Sequence, residues 1–109
     1  MLNIDQLPQI LAQARAEARQ ATNDAIQANP NQWYPCGFAW VTVREKGSTK
    51  LGRALLQSGF RKAHGGGLQI WNPSEHPTQW MDAKVDGARA FADVLRAHGI
   101  PASVGERMD

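Results

Sequence analysis

The stretch Lys46-Gly47-Ser48-Thr49-Lys50 puts two ammonium groups, two hydroxyls and a glycine within five residues, and further on Arg61-Lys62-Ala63-His64 runs into Gly65-Gly66-Gly67. Residues of these types suit the holding of an anion. Lysine supplies charge, hydroxyls and backbone N–H groups supply hydrogen bonds, and glycine lets the backbone close on a ligand at positive φ. The first stretch has the composition of a phosphate cradle without the Walker spacing, because no glycine stands at the required distance before Gly47. A P-loop ATPase is therefore not expected. The plain alternatives are a solvated turn for the first stretch and a mobile loop for the glycine run.

Tryptophan makes up four of the eight aromatic residues. Trp71 and Trp80 flank residues 72–79, and an indole can stack on a nucleobase, although filling a core is its commoner use. Asn72, with Gln69, His76 and Gln79 nearby, can read a base edge or equally cap a turn. The candidate ligand-binding set is therefore Lys46, Gly47, Ser48, Thr49, Lys50, Gly65, Gly66, Gly67, Trp71 and Asn72.

Catalysis finds less support. Cys36 precedes Gly37, and His64, His76 and His98 are scattered, so a Cys–His nucleophile pair has no local signature and an inert thiol is the expectation. Neither C-x-x-C nor H-E-x-x-H occurs, so no metal ligands and no cofactor are expected. Asp82 and Asp86, four apart with Lys84 and Arg89 close by, read as a solvated, salt-bridged helix face.

Composition bounds the rest. The 109 residues suit one domain able to bury a core unaided, and 42% hydrophobic with 20% charged residues argues against global disorder. A single cysteine excludes an internal disulfide and suits a reducing cytosol. No apolar run approaches the length of a membrane span, and Met1-Leu2-Asn3-Ile4-Asp5 has no basic leader, so a cytoplasmic protein is expected. The net charge is only +2, but residues 44–64 carry six lysines and arginines against Glu45 alone, a local +5 that would draw phosphates or an acidic surface.

These residues must be positioned by regular elements. A helix is expected from Asp5 as N-cap to about Ala28, where Asn29-Pro30 ends it. Its apolar positions, Leu7, Leu11, Ala14, Ala18, Ala21 and Ala25, alternate steps of four and three, a mostly alanine seam for close packing on a helix of the same chain or of a second copy. Trp33 and Tyr34 lie in a linker, to cap the core edge or wall a pocket. A strand follows over Gly37–Val43, apolar on both faces near its start and so read as central and covered on both sides. A second helix starts at Ser48 or Thr49 and ends at Gly59, with Phe60 making the contact that follows a helix end. Residues 67–71 form the second strand, with Leu68 and Ile70 on one face and Gln69 and Trp71 on the other. The third helix covers residues 78–98 with Met81, Val85, Ala88, Phe91, Ala92 and Leu95 buried, and Gly87 marks a close crossing of the first helix. Residues 102–107 can add a last strand.

The fold class is thus α/β, with α+β open: a single small domain over residues 1–109, in the order α-β-α-β-α-β, with about three strands packed against helices. Residues 5–28 form the alanine-rich helix and 36–109 the α/β core. Helical connections favour parallel crossovers. With parallel strands, the loops 44–50 and 71–78 and two helix N-termini would share one sheet edge, leaving the glycine run at the other. With antiparallel strands the glycine run would join the basic turn. The residues alone do not choose between one composite pocket and two weaker surfaces.

Cys36-Gly37-Phe38-Ala39-Trp40-Val41, the glycine run leading to Trp71, Arg89-Ala90-Phe91-Ala92 and Arg107-Met108-Asp109 together resemble small bacteriophage and viral-metagenome proteins of no assigned activity, over roughly residues 36 to 109. The resemblance carries over no catalytic residue and implies a phage setting, in which small proteins without catalytic motifs often bind a host component. The expectation is a non-enzymatic binder that sequesters a small anionic, nucleotide-like ligand, as a counter-defence protein would. The alternatives are an inhibitor docking on a host defence protein, as anti-CRISPR-like proteins do, and single-stranded nucleic-acid binding, against which the low net charge weighs.

Overall fold

The structure, a computed structural model, describes residues 2–109. Side-chain alternation sets the centre of the sheet. In β1 (Gly37–Val43), Gly37, Ala39, Val41 and Val43 are buried while Phe38, Trp40 and Thr42 are half-buried. β3 (Leu68–Trp71) pairs antiparallel on one side, with Val43 opposite Leu68 and Trp40 opposite Trp71. β4 (Ala102–Met108) pairs antiparallel on the other, from Val43 opposite Ala102 to Gly37 opposite Met108. A two-residue strand, β2 (Arg61–Lys62), completes the order β2-β3-β1-β4.

The sheet therefore has four strands, all antiparallel to their neighbours. The expected parallel crossovers exist, but each skips a strand. The helix α2 (Lys50–Gln57) carries the chain from β1 to β2 at the sheet edge, and the hairpin through the glycine run turns it back into β3 between them. α3 (Met81–Ala97) likewise connects β3 to β4 with β1 in between. This is a split βαβ arrangement preceded by one extra helix, α1 (Leu7–Ala28). β2 carries no apolar alternation to announce it, since both its residues are exposed cations.

At the front of the chain Asp5 is not the N-cap. Residues Ile4–Gln6 form a 3-10 turn in which the Asn3 side chain accepts the Asp5 N–H at 3.0 Å, and the α-helix begins at Leu7 with Pro8 in its first turn, where a missing N–H costs nothing. The alanine seam packs on α3 of the same chain, burying Leu7, Leu11, Ala14 and Ala18. Gly87 is the crossing point: a Cβ there would run into the Thr22 hydroxyl and lie 3.0 Å from the Ala18 carbonyl oxygen. The buried Thr22 hydroxyl donates to the Ala83 carbonyl at 2.8 Å, tying the helices together. α2 ends as expected, with Gly59 at φ 106 and the Phe60 N–H donating to the Leu55 carbonyl, which seats Phe60 in the core 6.2 Å from the Phe91 ring.

The helices contribute their buried side chains to the β1 face of Ala39, Val41 and Val43, joined by Leu68. Among the described residues, no helix covers the opposite face, with Phe38, Trp40, Thr42, Gln69 and Trp71. The expectation of a strand covered on both sides is thus corrected: Phe38 and Trp40 are apolar because they line an open aromatic face, not a second core. Among the described residues, no helix is long and apolar enough to cross a membrane.

Candidate functional site: a cationic cleft beside an aromatic sheet face

Antiparallel pairing of β1 with β3 has a direct chemical consequence. The end of β1 and the start of β3 are the same end of the sheet, so the basic turn after Val43 and the glycine run before Leu68 meet there. They enclose a cleft of about 480 Å³. Arg44, Lys46 and Lys62 bring charge to it, Gly47, Gly66 and Gly67 bring bare backbone, and Glu45 is its one carboxylate.

The glycines have different reasons to be there. Gly67 has φ 77, and a Cβ would sit 2.8 Å from the Val43 carbonyl oxygen, so the strand crossing itself requires glycine. Gly66 has φ 103 with open space around it, whereas Gly65 has open space and no positive φ. The Gly66 N–H donates to the Ala63 carbonyl and the Ala63 N–H to the Gly67 carbonyl. The run is thus a hairpin turn rather than a row of three unengaged N–H groups.

Around the turn, on the open face, lies a second hollow of about 350 Å³. It shares Arg44, Ala63 and Gly66 with the cleft and extends over His64, Trp40, Trp71 and Arg107. Trp40 and Trp71 stack with centroids 4.7 Å apart and planes 22° from parallel, and Phe38 meets Trp71 edge-on at 5.9 Å. Gly105 of β4 faces Trp40 across the ladder, and a Cβ there would run into the indole, so the ring rests on bare backbone. Trp71 keeps 45% of its surface exposed, which is unusual for a side chain of that size. The Arg107 guanidinium stands 5.5 Å from the Phe38 ring centre. The Lys84 ammonium, buried behind the strand, donates to the Gly37 carbonyl at 3.0 Å and lies 5.4 Å from the same ring.

Of the residues singled out by sequence, Lys46, Gly47, Gly66 and Gly67 line the cleft, while Gly65, Gly66 and Trp71 line the sheet-face hollow. Ser48, Thr49 and Lys50 line neither. Thr49 is the N-cap of α2, its hydroxyl oxygen accepting the Gly52 N–H at 3.0 Å and its proton directed to the Glu45 carboxylate at 2.7 Å. The N-terminus of α2 is therefore served by the chain's own groups. The N-terminus of α3 is at the other end of β1, where the Met81 N–H donates to the Pro35 carbonyl, so the two helix N-termini do not share a crevice.

Asn72 is apart from the set. It follows β3 at the far end from the glycines, at φ 47, with its side-chain N–H donating to the His76 carbonyl at 3.1 Å and its side-chain oxygen accepting from Ser74. His76 is likewise a turn residue, its Nδ1 accepting the Thr78 N–H at 3.0 Å. Trp80 is buried, and Trp33 and Tyr34 do not cap the core: they pack edge-on on each other, 63% and 65% exposed. By sequence Arg44 and Lys62 belong to an anion-attracting basic segment but not to the candidate set, and Trp40 and Arg107 are not singled out. The signal for the first two was present in the local charge excess; the last two needed the register.

Among the described residues, the ion pairs are Arg15 and Arg19 with Glu75, Arg89 with Asp86, and Arg96 with Asp93. All lie away from the sheet face. Arg44, Lys46, Arg61, Lys62 and Arg107 have no carboxylate within ion-pair distance among those residues, so their charge is available to a ligand. Among the described residues, no three His, Cys, Asp or Glu side chains gather into a metal-holding group. The chain matches no protein-family model, no curated protein and no solved structure.

Proposed function

We propose that this protein is a non-enzymatic binder of a nucleotide-like anion, with phosphate received at the cleft of Arg44, Lys46 and Lys62 and the base laid on the Trp71 indole. The observation that carries this reading is the meeting of unpaired cations with a half-exposed Trp71 indole stacked on Trp40, on one continuous surface. Cations without carboxylate partners favour an anionic ligand. A half-exposed tryptophan held flat by a second tryptophan is a stacking surface whose ordering cost is already met by the fold. In the phage setting implied by the sequence resemblance, such a binder would sequester a host signalling nucleotide.

The test is thermal unfolding against mono-, di- and cyclic nucleotides. A ligand present at a hundred times its dissociation constant stabilises by about 2.7 kcal/mol, which raises the midpoint of a domain this size by several degrees. A shift with one class of nucleotide, lost in Lys46→Ala/Lys62→Ala, supports the reading. No shift with any nucleotide contradicts it.

A protein-docking reading is favoured by a different surface, where Trp33, Tyr34 and Met108 are all more than 60% exposed. It predicts a host-protein complex that Trp33→Ala/Tyr34→Ala abolishes and Lys46→Ala/Lys62→Ala does not.

A further inference from the structure

Cationic groups stand at both ends of the open face, with the aromatic residues between them. At one end Arg107 is opposite Phe38 in the β1–β4 ladder; at the other is Arg44, which continues the alternation of Phe38, Trp40 and Thr42, with Lys46 and Lys62 in the adjoining cleft, Lys62 opposite the buried Leu68. Phe38 and Arg44 are separated by about 20 Å of chain at roughly 3.4 Å per residue. Trp40 and Trp71 lie within that span, flanked by the polar side chains of Thr42, Gln69 and Ser103. Arg61, opposite Gln69 on β2, adds a cation along the side. None of the residues that alternate onto this face is acidic.

A mononucleotide lying on Trp71 has a single phosphate to share between Arg44 and Arg107, which line the same hollow. A strand with several phosphates can engage both ends while its bases lie on the rings. We therefore infer that the ligand is a single-stranded nucleic acid, contacting the face through about two or three bases, the number that aromatic side chains on an open four-stranded sheet can stack. This rests on the nucleotide-binding reading and names its ligand class. Charge complementarity decides the occupant: cations at both ends of a run of stacking rings, with Glu45 in the cleft the one carboxylate beside them, fit alternating phosphates and bases. A duplex hides its base faces and is not a match for this surface.

The test is a tryptophan-fluorescence titration of the full chain with thymidine monophosphate, dT2, dT4, dT8, rU4 and a DNA hairpin duplex. Affinity should rise at least about tenfold from thymidine monophosphate to dT4 and change little from dT4 to dT8. Binding of dT4 or rU4 supports the inference, and the tighter of the two names the sugar. Trp71→Ala should weaken dT4 by about tenfold to a hundredfold, with Trp71→Phe recovering most of the loss. Arg107→Ala should weaken dT4 while leaving thymidine monophosphate within about twofold, a split that a general loss of fold would not produce. Equal affinity for thymidine monophosphate and dT4 would overturn the inference and leave the nucleotide reading standing. Absence of binding by every probe overturns the inference alone if a purine or cyclic nucleotide still raises the thermal midpoint, and overturns both if none does.

Discussion

Gly67 and Gly65 are two residues apart and carry opposite expectations. Gly67→Ala forces a Cβ toward the Val43 carbonyl oxygen at a positive φ, and should cost about 1–3 kcal/mol, read as a fall in thermal midpoint of several degrees. Gly65→Ala meets nothing within 4 Å and has an ordinary φ, so it should leave the midpoint unchanged or raise it slightly by restricting the unfolded chain. Gly87→Ala is the helical counterpart. The better helix propensity of alanine is worth about 1 kcal/mol, but the new methyl group collides with the Thr22 hydroxyl between two packed helices. Net destabilisation of about 1–3 kcal/mol is expected in a denaturant titration. The role of Gly87 is legible in sequence, because a glycine in mid-helix lowers helix propensity and an alanine seam elsewhere in the chain supplies the close neighbour that makes it worthwhile. The differing roles of Gly65, Gly66 and Gly67 are not, since a triplet of identical residues gives no sign of which one meets a neighbouring backbone.

At the scale of elements, the three helices and the strands at 37–43, 68–71 and 102–108 follow from apolar spacing and end signals to within a few residues. Alternation in β1 is plain in the sequence, but the layer covering its outer face is not there, because Phe38 and Trp40 look the same in sequence whether they face a helix or a ligand. β2 is illegible for a related reason: two exposed cations have no burial period, and their strand character comes only from pairing with Gln69 and Leu68. Without that strand the direction of β3 stays open, and the direction of β3 decides whether the cleft exists. The flat bed of the aromatic face is testable through β4. Gly105→Val places a branched side chain against the Trp40 indole and should displace it from Trp71. Nucleotide or oligonucleotide affinity should fall about tenfold, while the far-ultraviolet circular dichroism of the folded protein stays unchanged. The alanine seam of α1 faces α3 within the chain.

Across the whole molecule, the net charge of +2 is an average that does not describe the open sheet face. Arg15, Arg19, Lys84, Arg89 and Arg96 offset the acids of α1 and α3, and Glu45, Glu75, Glu106 and Asp109 lie on the loops, β4 and the terminus, but Arg61 and Arg107 alternate onto the open face with no acidic residue among its strand positions. The objection that a nearly neutral chain should bind nucleic acid poorly applies to the average, not to the face. Engagement of about three phosphates predicts that the logarithm of the dT4 affinity falls with the logarithm of salt at a slope of about −2. A slope near zero would mean that the arginines do not take part.

The most direct measurement is a two-dimensional ¹⁵N–¹H NMR titration of the full chain with dT4, following the four indole N–H signals together with the backbone amides. The account predicts that the Trp40 and Trp71 indoles move, with the amides of residues 44–47 and 63–67, while the Trp80 and Trp33 indoles stay in place. Shifts confined to Trp33 and its neighbours, or no shift at all, would contradict it.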